Sequence, residues 1–168
     1  MLLREIEVFR AVMGAGSTSK AAALLGISQP AVSQILRKLE TLGVPVVAAI
    51  NGAALGGGLE ICLATHRRVA VDSPSVKLGF PEVKLGIFPG FNGTARSIRQ
   101  AGPVAAMQNM LTGSMIRASA ARALGYIDQL VASPHELRWA ARKAVQQKRK
   151  SKPAGFTKSV MGSWPLKG

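Results

Sequence analysis

Apolar residues in the first part of the chain recur at the three-to-four-residue spacing of a helix. Leu3, Ile6, Phe9, Val12 and Met13 predict an amphipathic helix over 3–13, ended by Gly14 and Gly16. Ser17 can cap a second helix, with Ala21, Ala22, Leu24 and Leu25 as its inner face and Gly26 as its end. Ser28 can cap a third, with Pro30 in the first turn, where a missing N–H costs little. Its apolar face is Ala31, Val32, Ile35, Leu36 and Leu39, which leaves Gln29, Ser33, Gln34, Arg37 and Lys38 facing outward. Two short helices joined by a tight Gly turn, the second polar on its outer face, are the elements of a helix-turn-helix.

The pattern changes at residue 44. Pro45 to Ile50 is uniformly apolar rather than alternating, which predicts a buried strand of a parallel sheet. A glycine turn follows, Asn51-Gly52-Ala53-Ala54-Leu55-Gly56-Gly57-Gly58, and Leu59 to Arg67 reads as a helix. Arg68 to Val71 predicts the next strand and Ser75 to Leu78 another short extended piece, so a crossover helix links a strand to its return. Residues 79–83 and 86–94 are rich in Gly and Pro and lack periodicity, so they read as loops that place particular groups. Helices are predicted over 94–100, 104–111 and 118–124. Ser133-Pro134-His135-Glu136 is a capping box that opens a basic helix running to about residue 148. After Lys152 there is no convincing pattern, and no internal repeat is visible.

A chain of 168 residues can bury one ordinary core or two very small ones, and 48% hydrophobic content argues against disorder throughout. A net charge of +14 would suggest an anionic partner, but the charge is unevenly spread. Residues 1–43 carry five Lys/Arg against three Asp/Glu, residues 44–130 eight against four, and residues 131–168 nine against one. The basic character therefore belongs mainly to the tail, and 151–168 reads as a flexible, solvated segment. A single Cys62 excludes an internal disulfide and fits a reducing compartment; it suits a small core position better than a nucleophile. Met1-Leu2-Leu3-Arg4-Glu5 turns charged at once, which predicts no secretory signal. Val44 to Leu63 is as long as a membrane span, yet Asn51, Glu60 and the glycines suit a strand–turn–helix better. The expectation is a soluble, cytoplasmic chain with no membrane partner. His66 and His135 lack metal-ligand spacing and are expected at the surface, with no metal bound.

The glycine turn carries the clearest chemistry. Three glycines allow a ligand to approach bare backbone, and the N–H groups at a helix start are unpaired and partly positive. Such a turn suits an oxygen that gains negative charge during a reaction, and Glu60, one turn inside, can serve as acid or base.

Two family resemblances follow from these residues. Glu7-Val8-Phe9-Arg10-Ala11-Val12, Gly16-Ser17, then Ala21 through Ser33 with Gly26-Ile27-Ser28-Gln29-Pro30, and finally Leu39-Glu40, resemble the DNA-binding head of LysR-type transcriptional regulators. That resemblance implies a small all-α helix-turn-helix over 1–43, with Gln29, Pro30, Ser33, Gln34 and Arg37 facing the major groove or its phosphates. The wing and the dimerising linker helix of such regulators have no counterpart after Thr41-Leu42-Gly43. A single half-site reader of this kind is expected to bind DNA only non-specifically, with Kd on the order of 10⁻⁴–10⁻⁶ M.

The run Pro45 to Glu60, then Leu78-Gly79-Phe80-Pro81-Glu82, Leu85 to Gly90, Gly93-Thr94-Ala95-Arg96, Leu111-Thr112-Gly113 and Ala118 to Asp128 resemble the crotonase superfamily. The wording is most similar to the hydratase part of bacterial multifunctional fatty-acid oxidation enzymes. This implies an α/β fold over 44–150: a partial crotonase-like ββα spiral core with C-terminal helices, preceded by the all-α head. By the resemblance, the Gly57 N–H donates to a thioester oxygen, Glu60 and Glu82 exchange protons with water and the α-carbon, and Gly56, Gly58, Pro89 and Gly90 line the substrate. A coenzyme A thioester is then the substrate, and no cofactor is expected. About the first hundred residues of a full crotonase domain, with its second oxyanion donor, have no counterpart here.

Three functions remain open at this point. One is hydration or binding of acyl-CoA on a truncated domain, with a homo-oligomer or the helical head replacing the missing part. The second is a DNA-binding regulator fragment. The third is a recombinant fusion, joined near residues 43–45, with little activity of either kind.

Overall fold

The computed structural model of the chain describes residues 2–15, 18–90 and 92–147. The amphipathic pattern at the start forms α1 (Leu2–Ala15), and α2 (Thr18–Leu25) follows it. Gly26 takes φ +62°, a left-handed turn that glycine adopts without a side-chain clash. Helix α3 (Gln29–Arg37) begins as its sequence predicts: the Ser28 side chain accepts from the Ala31 N–H, and Pro30 sits in the first turn. A 3-10 turn, Lys38–Thr41, ends the head. Ser17, Phe91 and the tail 151–168 lie outside the described residues, as do the side chains of Leu3, Met13 and Arg37.

Two expectations about the head are corrected. Leu24, assigned to the inner face of α2, is 74% exposed, because Ala21 and Ala22 take up the contact with the neighbouring helices. Ser33, assigned to the outer face of α3, is buried at 9% exposure, and its hydroxyl donates back to the Gln29 carbonyl at 3.0 Å. A hydroxyl one turn along a helix finds that carbonyl more readily than solvent. The head's core of Val8, Val12, Ala21, Ala22, Val32, Leu36 and Leu39 is completed by Ile61 and Ala64, which come from beyond the glycine turn.

The apolar run ends in β1 (Val47–Ile50), shorter than predicted and not buried throughout: Ala48 and Ile50 are buried while Ala49 is exposed. The strand lies at the edge of a sheet ordered β1–β3–β6, so one of its sides has no sheet partner among the described residues. The turn that follows is less irregular than its glycines suggest, since Ala54–Leu55 forms a short strand, β2. Helix α4 (Gly57–Ala64) starts within the glycine run and crosses to β3 (Arg67–Val71), which pairs in parallel with β1. The strand–helix–strand unit is thus present as predicted.

A second small sheet orders β2, then β4 (Lys77–Gly79), then β5 (Met115–Arg117), with β2 and β4 parallel and β4 and β5 antiparallel. Residues 81–85, of which 81–83 read as loop, form a 3-10 turn. The later helices follow their patterns closely: α5 (Gly93–Ala101), α6 (Pro103–Thr112), α7 (Ala118–Ala123) and α8 (Pro134–Gln146), the last capped by Ser133 as its capping box requires. Strands β5 and β6 (Gln129–Val131) are each three residues long, too short for an alternating pattern to show. Leu59, Val69, Val71, Leu78, Phe80, Tyr126 and Ile127 build the main core, closed on one side by α8.

Polar groups also hold this core. Arg68, 2% exposed, pairs with Asp128 at 2.8 Å, and the same carboxylate oxygen accepts the Arg68 backbone N–H. His66 is half-buried rather than fully at the surface: its Nδ1 accepts from the Val46 N–H at 2.9 Å, and its backbone N–H donates to the Val46 carbonyl. Cys62 is buried and free, as expected, and burial pushes its thiol up to about 11. Among the described residues, no helix is long and apolar enough to cross a membrane.

Candidate active site

The site is built where β2 runs into α4. Gly56, at φ +52°, precedes the first helical residue and extends the β2–β4 pairing by donating its N–H to the Gly79 carbonyl at 2.9 Å. Gly57 then opens α4, at a position whose N–H has no acceptor within the helix. Gly58 follows in the same turn, half-buried. Glu60 is the only acidic residue of that first turn and is 1% exposed.

What holds Glu60 is a contact from another helix. The Gly93 N–H, at the start of α5, donates to Glu60 Oε1 at 2.7 Å. The approach requires glycine: a methyl at Gly93 would stand 2.5 Å from that oxygen. The carboxylate therefore caps α5, where the helix dipole favours negative charge. Gly93 was visible in the sequence as part of a motif, but its partner lies 33 residues away and left no local signal.

Glu82 arrives from the 3-10 turn 81–85 and stands on the other side of the same glycines. A methyl on Gly56 would lie 2.9 Å from Glu82 Oε1. Its Oε2 is buried without a hydrogen-bond partner, and burial pushes the carboxyl above the ordinary range, with a backbone N–H opposing in part. The structure thus brings Glu60 and Glu82 to one turn. Pro89 and Gly90 lie on the loop between Glu82 and Gly93, half-buried and exposed respectively. Next to Glu82 that loop exposes Leu85, Ile87 and Phe88.

The residues assigned to DNA all lie on α3. Gln29 and Pro30 occupy the first turn of α3, half-buried and exposed, and Gln34 is exposed; Ser33 faces inward as described. Among the described residues, no group of three His, Cys, Asp or Glu is placed to hold a metal ion.

A glycine turn that opens a helix, with two buried carboxyl groups against it, can stabilise an oxyanion and move protons beside it. A family model described as enoyl-CoA hydratase/isomerase matches residues 12–161, and the chain belongs to that family. Its fold is accordingly the mixed α/β crotonase-like one. The match begins inside the segment that resembles the regulator head. Among curated relatives, the chain is 46% identical over 118 residues to the fatty acid oxidation complex subunit alpha of Shewanella halifaxensis, covering 70% of this chain and 17% of the relative. It resembles the crystal structure of an enoyl-CoA hydratase from Bacillus anthracis at 36% identity and TM-score 0.63, covering 70% of this chain and 46% of that one. Enoyl-CoA hydratase subunit I of Geobacillus kaustophilus is similar at 35% identity and TM-score 0.62, over 73% and 46%. The chain therefore spans less than half the length of these proteins.

Proposed function

We propose that this chain binds a 2-enoyl-CoA thioester at the glycine turn and adds water across its double bond. The observation that carries the reading is the convergence of Glu60 and Glu82, both buried, on the turn that opens α4. The Gly57 N–H donates to the thioester oxygen as the enolate forms. Glu60, oriented by the Gly93 N–H, accepts a proton from water while the water oxygen bonds to the β-carbon. Glu82, whose burial favours the protonated form, gives its proton to the α-carbon. The two carboxyl groups then re-equilibrate their protons through solvent, and no redox change occurs. Enoyl-CoA hydratases need no cofactor, since the CoA thioester is itself the substrate.

Hydration of crotonyl-CoA by the purified chain tests this. Turnover that falls by about 10² or more in both Glu60→Gln and Glu82→Gln is expected. No turnover in the wild type, or equal rates in all three proteins, refutes it; the first result is also what a fusion with little activity would give. A second copy of the chain is a further partner, supported by exposed Leu85, Ile87 and Phe88, and sedimentation checks it.

A second reading, DNA binding by the head, is supported by α2, the Gly26 turn and the capped α3 that exposes Gln34. A salt-dependent gel shift lost in Gln29→Ala and Arg37→Ala is expected on that reading. Absence of a shift at low salt removes it.

A further inference from the structure

Glu40 belongs to the 3-10 turn that ends the head, yet its carboxylate reaches α5. Oε1 accepts from Arg96 Nε at 2.7 Å, and Arg99 Nη1 stands 3.8 Å from the same oxygen. Arg96 is 2% exposed, so water does little to weaken this pair. Arg96 lies three residues beyond Gly93, on the same face of α5. Gly93 in turn holds the Glu60 carboxylate. A shift of α5 must therefore either carry that carboxylate with it or break the bond. The head also presses on the helix that bears Glu60, because Ile61 and Ala64 complete its core. Ser97, the next residue along α5, ties the helix to Tyr126 by a hydrogen bond between their hydroxyls, and Glu40 supplies an anchor from the head.

We infer that Glu40 is a positioning residue for Glu60: by holding Arg96 it sets the place of α5, and with it the Gly93 N–H that orients the carboxylate. The helical head is then part of the support of the active site rather than an appendage to it. The inference rests on the hydratase reading of Glu60, and its test keeps the two apart.

Steady-state hydration of crotonyl-CoA and amide hydrogen exchange are measured on the full chain, below the melting temperature of every variant. Glu40→Ala is expected to lower kcat about tenfold or more with KM within about twofold, because Glu40 touches no substrate. The Gly93 amide is expected to exchange about tenfold faster, while Val69 and Ala70 in β3 stay unchanged. Glu40→Asp should recover part of the rate. In a Gly93→Ala background, where the carboxylate is already displaced, Glu40→Ala should cost less than about a further twofold. An unchanged Gly93 exchange rate, or effects that multiply in the double variant, overturns the inference. If Glu40→Ala does not fold, Glu40→Gln carries the same measurements, since it keeps an oxygen for Arg96 but removes the charge. If the wild type hydrates nothing, the hydratase reading fails, and Gly93 exchange still decides whether Glu40 holds α5.

Discussion

Replacing Gly93 by alanine tests the site at its narrowest point. The new methyl would stand 2.5 Å from Glu60 Oε1, 2.6 Å from Cγ and 2.9 Å from Cδ. An ordinary contact begins near 3.4 Å, so the carboxylate must retreat by about 0.9 Å, the difference from 2.5 Å. Glu60 projects from α4 and is buried, so the retreat cannot be absorbed by swinging into solvent. A misplacement of about 1 Å in a catalytic group can cost about 10² in rate. Overpacking of this kind also costs about 1–3 kcal/mol of stability. Gly93→Ala is therefore expected to lower kcat for crotonyl-CoA hydration about 10²-fold, with KM nearly unchanged and a modest fall in Tm. Gly14→Ala, whose methyl would meet nothing within 4 Å, serves as the control and should match the wild type. A Gly93→Ala rate within about threefold of the wild type would show that Glu60 does not need its present position, and the reasoning from this contact would fail.

Glu82 makes a pH prediction whose sign follows from its raised carboxyl. Its contribution to stability is complete below the ordinary carboxylate range and is lost as pH rises through the elevated value, so Glu82→Gln should gain in Tm over the wild type toward neutral pH and match it in acid. A gap in Tm that widens toward acid would contradict this. Over the same rise in pH, hydration by the wild type should decline as the proton donor is lost. Asp128→Ala leaves the buried Arg68 guanidinium without its ionic partner and should cost about 3–5 kcal/mol in urea unfolding; a loss under about 1 kcal/mol would show that the pair matters little. Cys62, with its thiol near 11, should resist alkylation at mildly basic pH until denaturant is added, and rapid labelling of the folded chain would show that it is accessible.

Much of the local structure was legible in the residues themselves. The helical spacing, the Ser28 and Ser133 caps, and the glycine turn with Glu60 inside it each depend on contacts within a few positions, and they formed close to where they were expected. Some of the short strands were not legible. Ala54–Leu55 and Gln129–Val131 are too brief to show a period and exist because a neighbour strand accepts them. Leu24 and Ser33 were misassigned for a related reason. A helical wheel tells which residues share a face, but the packing of other elements and a local carbonyl decide which face is covered.

The sequence alone determined that two carboxylates and a glycine turn are present, because residue type and short spacing are properties of the chain. Only the tertiary structure decided how they are placed relative to one another. The Gly93 contact to Glu60 spans 33 residues and the Arg96 contact to Glu40 spans 56, and no short-range pattern encodes either. Both arise when α5 is packed between the head and α4, since burial leaves each polar group only the partners that packing brings within reach.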